Sequence, residues 1–288
     1  MPILSGTGYH LDCKTVIGGR RNTLKIARYI LLVLAAIIAI FPLYWMISTA
    51  LSPQTWIKDL ELIPSKATLD SFRAILNKHP FPIWTANSFI TATVGTVGNL
   101  LLSALAAFAF GCLQFKYRDL LFYTLLATMM MPGFVLVIPR FFIVAEFGWV
   151  NTYRGIFVPW WFHMFSVFFL RQYFLSISSD MINTARVDGA NLWQIFWRVI
   201  LPIAKPAMVA LFVIKFLMNW NMLLWPLVIT ITTEMQTLQV GMAKFPDIYQ
   251  ADYGKIMAGS VLSLIPMLIL FAFFQKYIAK GIRMRKTF

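Results

Sequence analysis

Lys215 lies well inside a long apolar run that starts near Pro206. Nine residues of helix would carry it about 14 Å into that run, too deep to snorkel easily. A lysine at such depth costs about 2.5–3.5 kcal/mol on insertion scales, so something must offset it. Two readings stay open. Lys215 is either the cationic wall of a polar route through a membrane, or a charge neutralised where two subunits meet. Asn219, Trp220, Asn221 and Trp225 follow it in the same run. Indole faces stack on sugar rings and the amides can bond hydroxyls, so these four are candidates for lining that route. Helix packing and an interfacial aromatic belt use the same residue types, and Trp225 beside Pro226 suits the belt. Arg140, in another apolar run, could add a second positive group.

Other chemistry finds little support. The histidines His10, His79 and His163 are scattered, and no metal-ligand spacing exists. His163 is expected to be a satisfied donor between helices. Asp247 and Asp252 form the nearest carboxylate pair, with nothing nucleophilic beside them, which argues against a membrane-surface transferase. No Gly-x-x-x-x-Gly-Lys-Ser/Thr loop occurs, so the chain does not cradle nucleotide phosphates itself. No carboxylate falls deep in an apolar run, although proton- and sodium-coupled transporters typically use one.

The elements that must hold these residues are membrane spans. Of 288 residues, 59% are hydrophobic and only 12% charged, against about 25% charged in a soluble domain. The net charge of +14 comes in short clusters between apolar runs rather than as a basic stripe with interleaved aromatics, which argues against nucleic acid. Six runs are expected to cross as helices: Tyr29–Leu51, Ser88–Leu113, Leu120–Ile143 (interrupted by Pro132-Gly133), Gly155–Leu175, Pro206–Ile231 and Ala258–Ile278. The first is too long for a signal-peptide core and is read as uncleaved. Gly95, Gly98, Ser103 and Ala107 in the second suit close helix packing.

Placing the N-terminus inside puts twice as many Lys and Arg on the inner side as on the outer, so both termini are expected in the cytoplasm. Cys13 and Cys112 then fall on the reducing side as free thiols. The organisation expected is an all-α membrane protein. A cytoplasmic segment (1–28) leads into a six-helix domain (29–278), which a basic tail (279–288) follows. Outside, Asp70 is expected to cap a short helix.

The cytoplasmic segment between spans four and five, 177–205, has its own punctuation. Ser179 or Asp180 can cap one short helix, and Gly189 can end it in a left-handed turn. Asn191 and Gln194 form a capping box for a second helix. Pro202 is expected to stop that helix, with Pro206 in the first turn of span five. Ile182, Ala185, Val187 and Ala190 give this elbow an apolar surface, while Arg186 and Asp188 give it charge. Spacing alone fits an interfacial anchor as well as a docking site.

Thr184–Pro202 resembles the EAA loop of binding-protein-dependent ABC permeases: Ala185, Asp188-Gly189-Ala190 and Leu201-Pro202 match. Asn183 stands where the family has Glu, and Thr184 where it has Ala. Asn87-Ser88, Pro132-Gly133, Phe169-Leu170-Arg171-Gln172, Trp220-Asn221, Leu224-Trp225-Pro226-Leu227 and Met257-Ala258-Gly259-Ser260-Val261 extend the resemblance, to the maltose-permease type of sugar importer, along nearly the whole chain. The resemblance implies that the elbow is a coupling helix seated in a cytoplasmic ATPase, with Ala185, Arg186, Asp188, Gly189, Ala190 and Pro202 as its candidate residues. It implies a permease that is not itself an enzyme and carries no cofactor or metal, since ATP and Mg are bound by the partner. The expected assembly is a second, related permease chain, two ATPase subunits and an extracytoplasmic solute-binding protein, in a bacterial inner membrane. The expected cargo is an oligosaccharide, with Lys215 and Arg140 favouring an anionic, uronic-acid type. A neutral sugar or polyol is the alternative, and a secondary transporter or channel a further one.

Overall fold

The computed structural model describes residues 13–52, 62–64, 66–244 and 252–283. His10, Asp247 and the end of the basic tail lie outside these. The described residues contain helices and no strands. Four helical stretches are long and apolar enough to cross a membrane: Arg28–Leu51, Phe81–Cys112, Leu192–Trp220 and Tyr253–Gln275. The first belongs to helix α1 (Cys13–Leu51), which also takes in part of the basic lead. The last belongs to α13 (Tyr253–Arg283), which continues into the expected tail. Helix α3 (Phe81–Cys112) begins ahead of Ser88, with proline in its first turn, where a missing N–H costs nothing. Asp70 opens α2 (Asp70–Lys78) without capping it, for its side chain makes no cap hydrogen bond.

The expected third and fourth spans are not single helices. Helix α4 (Arg118–Ala127) tightens into a 3-10 turn at Thr128–Met130, and α5 (Val137–Glu146) resumes after a break. Pro132 explains this break. Proline disfavours the helical conformation in the residue before it, and Met131 is extended, with φ −78 and ψ 124. Helix α6 (Tyr153–Phe157) passes into a 3-10 turn at Val158–Trp160, and α7 (Met164–Leu175) starts only after an extended His163. The fifth span is also interrupted, at Asn221, between α10 (Leu201–Trp220) and α11 (Leu224–Ile229).

Pro202 does not stop the elbow's second helix. The chain runs without a break from α9 (Leu192–Gln194) through a π segment, Ile195–Ile200, into α10. A proline in an α-helix lacks its N–H and clashes with the carbonyl one turn back. The wider turn avoids this: Leu201 N–H reaches Phe196 O, five residues back, and Pro202 sits where no donor is needed. The elbow's second helix is thus continuous with α10.

Two apolar cores lie at opposite ends of the bundle. At the elbow end, Ala104, Ala107 and Phe108 of α3 pack against Leu170 and Phe174 of α7, Phe196 and Ile200 of the π segment, and Ile182 of the elbow. At the other end, Trp84, Ala92, Phe216, Trp220, Leu238 and Ala258 form a second core. Small residues on α3 set the spacing between helices. A Cβ at Gly98 would overlap the Trp161 indole, whereas one at Gly133 would meet nothing within 4 Å. Gly98→Leu is therefore expected to destabilise the protein by about 3 kcal/mol, at the upper end of overpacking costs. Gly133→Ala should stay within about 0.5 kcal/mol of wild type. Unfolding of the detergent-solubilised chain tests both.

Candidate functional site

The elbow is a compact local unit. Helix α8 (Ser179–Val187) is capped by Ser178, whose side chain accepts the Asp180 N–H; the cap falls one residue before Ser179 because that hydroxyl is the one facing the free amide. The helix ends in a Schellman motif. Ala190 N–H donates to Ala185 O at 2.9 Å and Gly189 N–H to Arg186 O at 3.0 Å. Gly189 has φ +80, which an L side chain adopts only with strain. Ala185 and Ala190 both pack against the elbow-end core, which completes the motif with its apolar contact. Asn191 and Gln194 then make the full capping box, at 2.9 and 2.8 Å. The tip is left exposed: Val187 is 87% accessible, with Arg186, Asp188 and Gly189 around it. Pro202 lies on the exposed side of the helix that follows.

A cationic clasp fixes the helices behind the elbow, centred on Arg171, which the sequence marks only as part of Phe169-Leu170-Arg171-Gln172. Arg171 is buried; its Nε donates to Phe110 O at 3.1 Å, and its Nη2 lies 3.4 Å from Asp119. Its guanidinium stacks 4.0 Å from the Phe122 ring centroid. Asp119 also accepts from Arg118 at 3.1 Å. That hydrogen bond, with the charges of Arg118 and Arg171, holds the Asp119 carboxyl below its ordinary pKa. The clasp is thus fully ionised at neutral pH, and its contribution is lost only as pH falls below the carboxylate range. A cavity of about 690 Å³ separates the α3–α4 turn from α8, lined by Cys112, Phe115, Arg118, Ile182 and Arg186 among others.

The second group of candidates lies deep in the bundle. Lys215 is 1% exposed within its own chain and makes no hydrogen bond or ion pair to another described residue. Asn219, one turn on, donates to Thr96 at 3.1 Å, while its Oδ1 has no protein partner. His163 lies within electrostatic reach of Lys215 and Arg140, and its Nδ1 is also unpartnered, contrary to the expected satisfied donor. Arg140 stacks over Trp160 at 4.4 Å and Trp225 at 5.6 Å, leaving Nη1 buried without a partner. Trp225 is not part of an interfacial belt. The break at Asn221 turns it inward, where it is 1% exposed and its indole donates to Gly155 O at 3.0 Å. Trp220 is equally buried and stacks on Phe216, and Asn221 is exposed, its amide bonded to Leu217 O at 3.0 Å. The structure therefore gathers Lys215, Asn219 and Trp225 with Arg140, His163 and Trp160, and leaves Trp220 and Asn221 apart.

Three asparagines, unremarked as bonding groups in the sequence, hold the broken segments in place. Asn99 is fully buried; its amide donates to Trp160 O and Trp161 O at 3.2 Å, and its Oδ1 accepts from Ser166 at 2.7 Å. Asn87 donates to Glu234 O and Gln236 O and accepts from Tyr153 at 2.6 Å. Asn151 Oδ1 accepts the N–H groups of Ile231 and Thr232. Irregular backbone survives inside a membrane protein only where its polar groups are satisfied in this way.

Comparison with known proteins adds independent findings. Residues 99–284 match the family described as binding-protein-dependent transport system inner membrane component. The chain is 34% identical over 271 residues to the arabinooligosaccharides transport system permease protein AraQ of Halalkalibacterium halodurans, covering 91% of this chain and 97% of that protein. It is 31% identical to the lactose transport system permease protein LacG of Rhizobium radiobacter, covering 91% and 96%. The fold is similar to one chain in the crystal structure of a bacterial ABC transporter that imports the acidic polysaccharide alginate. That match has a TM-score of 0.78 at 24% identity, covering 94% of this chain and 99% of the other.

Proposed function

We propose a function from one premise: the chain belongs to the family of binding-protein-dependent transport system inner membrane components. It is a multi-pass membrane permease of the carbohydrate-importing ABC kind. On our reading its broken third and fourth segments also cross, giving six spans with both termini and the elbow in the cytoplasm of a bacterium. The elbow is a coupling helix. The observation that carries this is its build: a tip exposed at Val187, a Schellman turn at Gly189, and an unbroken helix from Leu192 to Trp220 behind it. A push on the tip is carried by packed side chains and a rigid element rather than lost in a loop.

The energy then comes from ATP and Mg bound by two separate ATPase subunits, with a related second permease chain completing the pore. A solute-binding protein delivers the cargo from outside. We read that cargo as an oligosaccharide, in line with the relatives named for arabinooligosaccharides and lactose. The chain itself carries out no reaction. The test is purification from native membranes, identification of the chains that come with it, and reconstitution in vesicles. ATP-dependent, binding-protein-dependent uptake of an oligosaccharide is expected, with two unlike permease chains in the complex. Uphill uptake by this chain alone would point to a secondary transporter instead, and an active complex holding two copies of this chain would overturn the heterodimer.

A further inference from the structure

We propose that Arg140, His163, Lys215 and Asn219, with the Trp160 and Trp225 indoles, form a closed subsite for the carboxylate of a uronic-acid-type saccharide. This rests on the oligosaccharide-importer reading above and names the class of its cargo. Four observations converge. First, the cluster is cationic and uncompensated: no ion pair reaches Lys215 or Arg140 among the described residues. Second, it carries several unmatched polar atoms. Arg140 Nη1, His163 Nδ1, Trp160 Nε1 and Asn219 Oδ1 are all buried without a protein partner, and Trp160 and Asn219 line one small cavity with Thr91 and Gly95. Buried polar groups are normally satisfied, so unmatched atoms on neighbouring residues suit the binding of a polar ligand.

Third, the Arg140 guanidinium lies over the Trp160 ring at 4.4 Å, with the Trp225 ring 5.6 Å away. Stacking fixes the plane of a guanidinium and leaves its edge free, the arrangement suited to bidentate carboxylate recognition. Fourth, the cluster sits where helices are interrupted. Arg140 is in the first turn of α5 after the Pro132 break, His163 lies at the break before α7, and Asn219 immediately precedes the break after Trp220. Short segments can separate at such points without unfolding the long helices, so a subsite closed in this conformation can open in another. A carboxylate from a neighbouring subunit would have to enter the same space, because Lys215 is already buried inside its own chain.

The test uses the complete transporter with its partner chains and binding protein in vesicles. The probes are a uronic-acid tetrasaccharide and its carboxyl-reduced, neutral counterpart. Arg140→Gln and Lys215→Met are each expected to lower uptake of the acidic probe by at least about tenfold, the worth of one charged hydrogen bond. Uptake of the neutral probe by the same variants should stay within about twofold, and Lys215→Arg should keep most of the acidic uptake. Stimulation of ATP hydrolysis by the loaded binding protein should persist in all three, which excludes misfolding. Quenching of tryptophan fluorescence by the acidic probe should be lost in Arg140→Gln. Equal loss of both probes, or a wild type that moves only the neutral one, would overturn the subsite while leaving the importer reading intact. A wild type that moves neither would overturn the importer reading, and the subsite with it.

Discussion

Gly189→Asp is expected to cut transport by about 5–150-fold while leaving the chain inserted and assembled. The position has φ +80, so any L side chain is strained there by about 1–2 kcal/mol, and Asp by somewhat less. Space is not the obstacle, since a Cβ at Gly189 would meet nothing within 4 Å. The larger effect is on the tip. The Schellman turn that brings Ala190 N–H to Ala185 O orients Val187, and a new carboxylate beside Asp188 doubles the negative charge of the surface that must dock. Removing a coupling of about 1–3 kcal/mol lowers the coupled process by about 5–150-fold. Vesicle uptake by the assembled complex measures the loss, and ATP hydrolysis measured alongside separates failed docking from failed transmission. Gly189→Ala adds strain without charge and should fall between wild type and Gly189→Asp. Normal uptake by the Asp variant would remove the coupling role from the elbow.

The elbow was legible in the sequence because its geometry is local. Gly189 and the Asn191–Gln194 box are set by residues within one turn of each other, and both take the form their types suggest. Ser178 and Ser179 are nearly equivalent candidates by type, and only the backbone path decides which hydroxyl faces the free N–H. Pro202 misled for a different reason. The rule that proline stops a helix assumes α geometry, and the π turn at Ile195–Ile200 changes the hydrogen-bond register so that the rule has no force.

The deep site was legible only in part. Lys215 and Arg140 stood out as charges in apolar runs, but their convergence depends on helix breaks that hydrophobicity does not report. The break at Pro132 carries its own signal. The one before His163 follows the Val158–Trp160 turn, which holds Pro159, and the extended path beyond it is sustained by the Asn99 amide on α3, far away in the sequence. Trp225 is by type a candidate for the polar route, while its place beside Pro226 at a span end equally suits an interfacial belt. The Asn221 break turns it into the interior instead.

That dependence on one amide makes Asn99→Leu the most damaging single change expected near the deep site. Leucine has similar bulk, so the effect isolates hydrogen bonding rather than packing. The variant strands the Trp160 and Trp161 carbonyls and removes the acceptor of the Ser166 hydroxyl, all in a part of the bundle where Asn99 and Ser166 are fully buried. Each buried group left without a partner costs about 1–3 kcal/mol, so a total of about 3–9 kcal/mol is expected for the three. Two states can follow. The Val158–Trp160 turn can propagate as helix toward α7, satisfying its own carbonyls and displacing Trp160 from Arg140 and His163 from Lys215. Otherwise the chain fails to accumulate. Both lose transport, and they are separated by the unfolding of the detergent-solubilised protein and by its yield from membranes. Ser166→Ala removes a single donor and should cost only about 1 kcal/mol, with uptake largely kept. An Asn99→Leu protein that unfolds within about 0.5 kcal/mol of wild type and transports normally would show that the interrupted segment holds itself, and that the α3 amide is incidental to it.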